Sequence, residues 1–328
     1  MTGLYDSFQR PINYLRISVT DRCNLRCIYC TPSEGLTLFR HDEILSYEEI
    51  FTVVKTAADL GITRVRITGG EPLVRVGLPK LIGMIAGIQS ITDISLTTNG
   101  TLLAEYAEQL KNAGLHRVNV SLDTLKEERF RTITRGKVAL KTVLTGIETA
   151  KAAGLNPVKI NMVVLAGTND DEIPDFALKT INNDWNVRYI ELMPFSESSP
   201  ENPGFLSVEE IKKRLKPLGE LIPATMAAGN GPAKYFRFPG ARGTIGFITP
   251  VTEHFCFNCN RLRLTSDGKL RPCLLSDKEI DLKQALRQRL PNEELKTLIQ
   301  EAVASKPLRH HLSETTTNLH RPMRQVGG

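Results

Sequence analysis

Six cysteines carry the first legible chemistry, because they are not scattered. Cys23, Cys27 and Cys30 lie near one end, Cys256, Cys259 and Cys273 near the other, and none lies between. In a reducing compartment, thiols at such short spacing point to metal ligation or catalysis rather than to structural bridges. Each group offers three thiols, whereas structural zinc closes with four protein ligands. His254 could complete the second triplet as a zinc site; the first has no convincing fourth ligand nearby. Three thiolates on a short loop can instead hold three irons of a [4Fe–4S] cluster, leaving the fourth open to a substrate.

The elements that must position these thiols are read from periodicity. Short β-like runs at Tyr14–Thr20, Arg64–Gly69, Asp93–Asn99, Arg117–Asp123, Pro157–Leu165 and Val187–Pro194 alternate with amphipathic segments at Tyr47–Leu60, Leu78–Ile88, Leu103–Ala113, Val138–Ala153 and Asp171–Asn182. Ser46 and Glu49 form a capping-box signature, and Gly61, Gly114 and Gly154 punctuate helix ends. This alternation predicts an α/β fold with a parallel sheet covered by helices, either doubly wound or an incomplete barrel of six units. The Cys23–Cys30 loop follows the first strand, where α/β folds place their active sites.

The strand faces are unusual. Arg64, Arg66 and Thr68 share one side, as do Asn119, Ser121 and Asp123, and Lys159 and Asn161. A helix-covered parallel strand should read as nearly continuous apolar sequence, so several polar faces together predict a ligand cavity; edge strands with a solvated face are the alternative. After Phe195 the texture changes to a Ser/Pro/Gly loop, a short helix at Val208–Leu218 and short strands, among them a hairpin at Asp267-Gly268 that returns Cys273 toward Cys259. This divides the chain into a barrel portion, residues 1–200, and a smaller α+β portion, residues 201–328.

The composition excludes several classes. With 41% hydrophobic and 24% charged residues the chain is an ordinary globular sequence, not a disordered or disulfide-stapled one. No apolar run approaches the roughly 20 residues of a membrane helix. Met1–Arg10 lacks a signal-peptide pattern, so a cytoplasmic protein with reduced thiols and no membrane association is expected. The net charge of +6 permits an anionic partner, but 6% aromatic residues and no dense basic stripe argue against nucleic acid.

The C-x3-C-x2-C loop with Tyr29 between its last two cysteines, together with the Gly69-Gly70-Glu71-Pro72 turn after the second strand, resembles the radical S-adenosylmethionine (SAM) superfamily. Within it, the whole chain resembles the GTP 3′,8-cyclase family, from Arg16 through Cys23 to the second cysteine triplet and the final Gly327-Gly328. The resemblance implies an incomplete (β/α)6 TIM-like barrel of the radical SAM type, closed by a C-terminal portion that carries an auxiliary cluster. It implies two [4Fe–4S] clusters, on Cys23, Cys27 and Cys30 and on Cys256, Cys259 and Cys273. It assigns SAM to Tyr29, Gly70, Ser121 and Met193, and GTP to Arg16, Arg66, Thr97, Lys159, Arg261, Leu262 and Arg263. Arg188 would be a further phosphate ligand, although strict alternation sets it out of phase with Met193 unless a bulge intervenes.

The family removes the 3′ hydrogen of GTP with a 5′-deoxyadenosyl radical and joins the ribose to guanine C8, the opening of molybdenum-cofactor biosynthesis. Arg261, Arg263, Gly327 and Gly328 take the catalytic roles, the double glycine entering the cavity; a merely frayed terminus is the alternative. A flavodoxin- or ferredoxin-type electron donor and a downstream cyclic pyranopterin monophosphate synthase are the implied partners, with a homodimer allowed. The other readings are a peptide-maturing radical SAM enzyme with an auxiliary cluster and a non-enzymatic zinc or nucleic-acid module.

Overall fold

Eight parallel strands run side by side through a computed structural model that describes residues 3–32, 35–193, 204–225, 229, 231–310 and 321–327. The strands among the described residues are β1 (Tyr14–Ser18), β2 (Arg64–Thr68), β3 (Asp93–Thr98), β4 (Arg117–Ser121), β5 (Lys159–Val164), β6 (Asn186–Glu191), β7 (Ile222–Pro223), β8 (Lys234–Arg237), β9 (Thr244–Ile248), β10 (Arg261–Leu264), β11 (Lys269–Arg271) and β12 (Ile280–Asp281). They form one sheet in the order β12-β11-β10-β1-β2-β3-β4-β5-β6-β9-β8-β7. β10 through β9 in that order are parallel, and the outer strands are antiparallel.

The helices are α1 (Tyr47–Asp59), α2 (Leu78–Ala86), α3 (Leu103–Asn112), α4 (Glu127–Thr134), α5 (Leu140–Ala152), α6 (Ile173–Asn182), α7 (Val208–Leu215), α8 (Lys283–Arg287) and α9 (Asn292–Ala304). The capping box closes reciprocally, Glu49 N–H to Ser46 Oγ at 3.1 Å and Ser46 N–H to Glu49 Oε2 at 2.7 Å. Their apolar stripes cover the outer face of the sheet, where Val65, Ile67, Ile94, Leu96, Val118 and Val120 are fully buried. Burying each such side chain contributes about 1.5–3 kcal/mol, so the apolar core lies between sheet and helices. The inner face is left free for polar side chains.

The C-terminal portion continues the sheet begun by the six N-terminal strands. It extends both edges of the sheet, with β10 alongside β1 (Arg16 opposite Arg263) and β9 alongside β6 (Arg188 opposite Gly246). Strands this short, read alone, show only a hairpin; their pairing with β1 and β6 is set by tertiary contacts. The β10–β11 hairpin is present, with Leu264 opposite Leu270. Glu191, at the end of β6, ties the portions together by accepting from the main-chain N–H groups of Val208 (3.0 Å), Val251 and Thr252 (3.1 Å each). No helix among the described residues is long and apolar enough to cross a membrane.

A candidate active site between two thiol triplets

Both cysteine triplets line one cavity of about 300 Å³ inside the sheet. The first is held by local structure. After β1 the chain loops through Cys23 to Cys30, and Cys27 O accepts from the N–H groups of Cys30 (2.9 Å) and Thr31 (3.0 Å). Arg26 and Ile28 donate their N–H groups to Thr134 O and Ile133 O at the end of α4, both at 2.9 Å. The Gly69–Pro72 turn packs directly on the approach to this loop, with Gly70 N–H on Thr20 O (2.7 Å) and Glu71 N–H on Arg22 O (2.8 Å). A Cβ at Gly70 would press into the Arg22 carbonyl group and lie 2.9 Å from Asp21 O, so only glycine permits this approach.

Glu71, buried, accepts from Thr98 Oγ1 (2.7 Å), Asn99 N–H (2.6 Å) and Leu73 N–H (3.0 Å); burial outweighs these bonds and pushes its carboxyl up to about 7. Tyr29 donates its hydroxyl to Asp123 Oδ2 at 2.7 Å, which fixes the ring at the cavity wall. Burial pushes Asp123 up to about 6 against that bond and the Val163 N–H on its other oxygen.

The middle of the cavity is cationic. The register sets Arg263, Arg16 and Arg66 side by side across β10, β1 and β2, and sets Ser121, Asn161 and Arg188 side by side across β4, β5 and β6. Burial holds the Arg16 guanidinium well below its ordinary range, reinforced by Arg263 and Arg66. Arg263 is brought down to about 9 and Arg188 to about 10, in each case first by burial, with Arg261 adding repulsion at Arg263 and Arg66 at Arg188. Lys159 is brought down to about 6 by burial and by Arg188, Arg117 and Arg66. Thr97 Oγ1, Asn161 Oδ1 and Arg188 Nε have no hydrogen-bond partner among the described residues. Desolvated cations with unmatched donors and acceptors beside them are electrostatically complementary to a polyanion.

The second triplet lies at the other side of the same cavity with Arg261, Lys306 and His310. Burial opposes ionisation of Cys259, but Arg261 and Lys306 outweigh it and bring the thiol down to about 6. Lys306, 4% exposed, donates to Arg261 O (2.8 Å) and Pro272 O (2.5 Å). His254 turns to His310, Nδ1 to Nε2 at 3.2 Å, and it is His310 that lines the cavity, so the fourth-ligand reading of His254 is not supported. No group of three His, Cys, Asp or Glu among the described residues is arranged around a single metal ion. The first donor set suits an iron–sulfur cluster, with Leu25 N–H (3.4 Å) and Asn99 Nδ2 (3.8 Å) directed at Cys23 Sγ, and in the second triplet Arg261 Nη2 donates to Cys259 Sγ at 3.7 Å.

Of the residues expected at the site, Tyr29, Gly70, Ser121, Met193, Arg16, Arg66, Thr97, Arg261 and Arg263 line the cavity with the six cysteines. Lys159 lies inside the barrel but off the cavity wall. Leu262 turns its side chain into the apolar core, because alternation along β10 sets it opposite to Arg261 and Arg263, so its main chain is what it offers that segment. Arg188 and Met193 both face the cavity without a bulge, because β6 ends at Glu191 and alternation does not extend to Met193. Gly327, at φ 75°, accepts from Arg263 Nη1 through its carbonyl at 2.9 Å, and a Cβ there would lie 2.9 Å from Thr68 Cγ2. Gly328 lies outside the described residues. Sequence reading did not single out Asn99, Lys306 or Arg324; none carries a motif, and Lys306 and Arg324 reach the site from segments with no periodic signal.

The strand order, the thiol loop and the Gly-Gly-Glu-Pro turn define a radical SAM enzyme, and the comparisons agree. Residues 17–179 match the family described as "Radical SAM superfamily", and residues 185–312 match "Molybdenum Cofactor Synthesis C". The solved structure of Streptococcus suis SuiB shares the fold, with 15% identity and a TM-score of 0.60 over 90% of this chain and 66% of that one. Native anSMEcpe with bound AdoMet gives 17% identity and a TM-score of 0.55 over 87% and 83%. The GTP 3′,8-cyclases of Thermodesulfovibrio yellowstonii and Pelotomaculum thermopropionicum are each 53% identical, over 98% and 99% of this chain and 99% and 100% of theirs. The chain belongs to the GTP 3′,8-cyclase family.

Proposed function

We propose that this chain converts GTP into (8S)-3′,8-cyclo-7,8-dihydroguanosine 5′-triphosphate, the opening reaction of molybdenum-cofactor biosynthesis. The observation that carries this is one cation-lined cavity with a cysteine triplet at each side. Cys23, Cys27 and Cys30 would hold one [4Fe–4S] cluster with SAM beside it, near Tyr29, Gly70, Ser121 and Met193. When bound, that pair supplies a 5′-deoxyadenosyl radical by one-electron reduction of SAM. Cys256, Cys259 and Cys273 would hold a second cluster and, supplying three ligands, would leave it one iron for the substrate base.

The chain's own residues do the rest. Arg16, Arg66 and Arg188 hold the triphosphate, and Lys159 behind them adds charge that the anion restores. Arg261 and Arg263 reach the nucleotide from β10, and the Gly327 carbonyl fixes the Arg263 fork. Thr97 and Asn161 offer the acceptors and hydroxyl that orient the sugar and phosphates. The enclosing sheet excludes water and other C–H bonds from a reactive radical. A flavodoxin- or ferredoxin-type donor supplies the electron, and a cyclic pyranopterin monophosphate synthase takes the product.

Anaerobic incubation with GTP, SAM and a reductant tests the reading. Iron-loaded protein forms 5′-deoxyadenosine and a cyclised guanosine triphosphate; neither product from protein carrying about eight irons per chain would refute it. About four irons per chain would refute the second cluster alone.

A further inference from the structure

The first thiol loop is gripped by a part of the chain nearly the whole sequence away. The segment 321–327 is anchored by Arg321, which donates to both carboxylate oxygens of Asp267 and to Glu279 Oε2, each at 2.9 Å. It then makes a single 3-10 turn, Met323–Gln325. Arg324, 7% exposed, points from this turn into the Cys23–Cys30 loop. Its Nε donates to Asp21 O at 2.7 Å and its Nη1 to Thr31 Oγ1 at 3.4 Å. One guanidinium thus bridges the residue two before Cys23 and the residue after Cys30, closing the loop at both ends. Its main chain and its charge both favour the ionised Cys30 thiol, and its charge favours that of Cys23. Three residues further on, Gly327 O accepts from Arg263.

We propose that Arg324 is a positioning residue for the first cluster, a cation brought by the C-terminal segment that clamps the ends of the Cys23–Cys30 loop and favours the reduced state of the cluster held there. The physics is direct. A one-electron reduction adds negative charge to a desolvated site, and a buried cation beside the ligand sulfurs stabilises that charge more than the oxidised form. Asp21 O and the Thr31 hydroxyl oxygen, at the two ends of the loop, each accept from this guanidinium. The same short segment holds Arg263 of the nucleotide site, so a docked tail serves both sides of the cavity at once. The inference rests on the cluster reading given above.

The test is an EPR-monitored redox titration of the full-length, iron-loaded protein, following the signal that SAM addition perturbs, in the parent, Arg324→Gln and Arg324→Lys. Arg324→Gln shifts that midpoint to more negative potential, while Arg324→Lys, which keeps the charge, stays near the parent. A midpoint unchanged in Arg324→Gln, or shifted equally in both variants, overturns the proposal. Loss of iron from Arg324→Gln alone, with Arg324→Lys loaded and at the parent's potential, supports it; loss from both overturns the assignment to charge. A parent without any SAM-sensitive signal refutes the cluster reading itself, and this inference with it.

Discussion

Binding of GTP should take up close to one proton per nucleotide at pH 8, and Lys159 is the reason. Its ammonium is 2% exposed and faces Arg66 from β2, Arg117 from β4 and Arg188 from β6, with Asp93 of β3 as a counter-charge and the Tyr235 ring of β8 5.7 Å away. Burial first, and then those three arginines, bring it down to about 6. Two units above that value, at pH 8, protonation costs about 2.7 kcal/mol. A triphosphate seated among the arginines reverses the local potential, and the lysine regains its proton. Because the pKa is low in the free protein and higher in the complex, the complex binds the proton more tightly. Affinity is therefore highest at low pH and falls, by up to tenfold per unit, once pH is about a unit above the free-protein value of about 6 and until it reaches the bound-state value. The terminal phosphate loses its own proton near pH ~6, below this window.

Isothermal titration calorimetry at pH 8 in buffers of different ionisation enthalpy reads the proton count directly. The parent's apparent enthalpy should vary with the buffer, and Lys159→Arg, which keeps its charge throughout, should show no such variation. An enthalpy independent of buffer in the parent, or equal proton uptake by Lys159→Arg, would refute the reasoning.

Three other perturbations have defined outcomes. Arg263→Gln removes a charged donor from the nucleotide site and should weaken GTP binding by about 1.5–3 kcal/mol, roughly 10–150-fold, while SAM cleavage is largely spared; equal loss of both activities would count against the assignment. Gly70→Ala drives a methyl group into the Arg22 carbonyl, so the loop must shift at a cost of about 1–3 kcal/mol, seen as a lower melting temperature together with weakened SAM binding. Lys306→Met leaves the carbonyls of Arg261 and Pro272 without their donor and Cys259 without one of its cations. Iron should fall from about eight to about four per chain in anaerobically purified protein, and full iron content would show that the lysine does not support the second triplet.

The barrel was legible because its signals are local. Alternation along β2, β4 and β5 placed Arg66, Ser121 and Asn161 on the inner face, and the structure puts all three on the cavity wall. The segment Leu103–Ala113 became α3 to within a residue. α4 was not anticipated, because Glu127–Thr134 is a short, mostly polar helix that buries only Phe130, Ile133 and Thr134. The destinations of β9 and β10 were also illegible, since a four- or five-residue strand does not encode which edge it joins. Leu262 was grouped with its arginine neighbours by the resemblance, against the alternation that buries it. Lys306 and Arg324 were missed for a different reason: single basic residues outside periodic elements look like solvated surface until the fold wraps them inward.

That sheet order has a consequence for synthesis. β1 is made at the start of the chain, yet its outer neighbour β10 follows only after residue 260. At about 5–20 residues per second, that edge waits roughly 10–50 s on the ribosome. β6 likewise waits for β9. From the completion of β6 until β9 is made, roughly 3–11 s at that rate, the nascent half-barrel exposes two unpaired parallel edges, templates for pairing with another chain. Its first thiol loop is already present while Arg324 has not been translated.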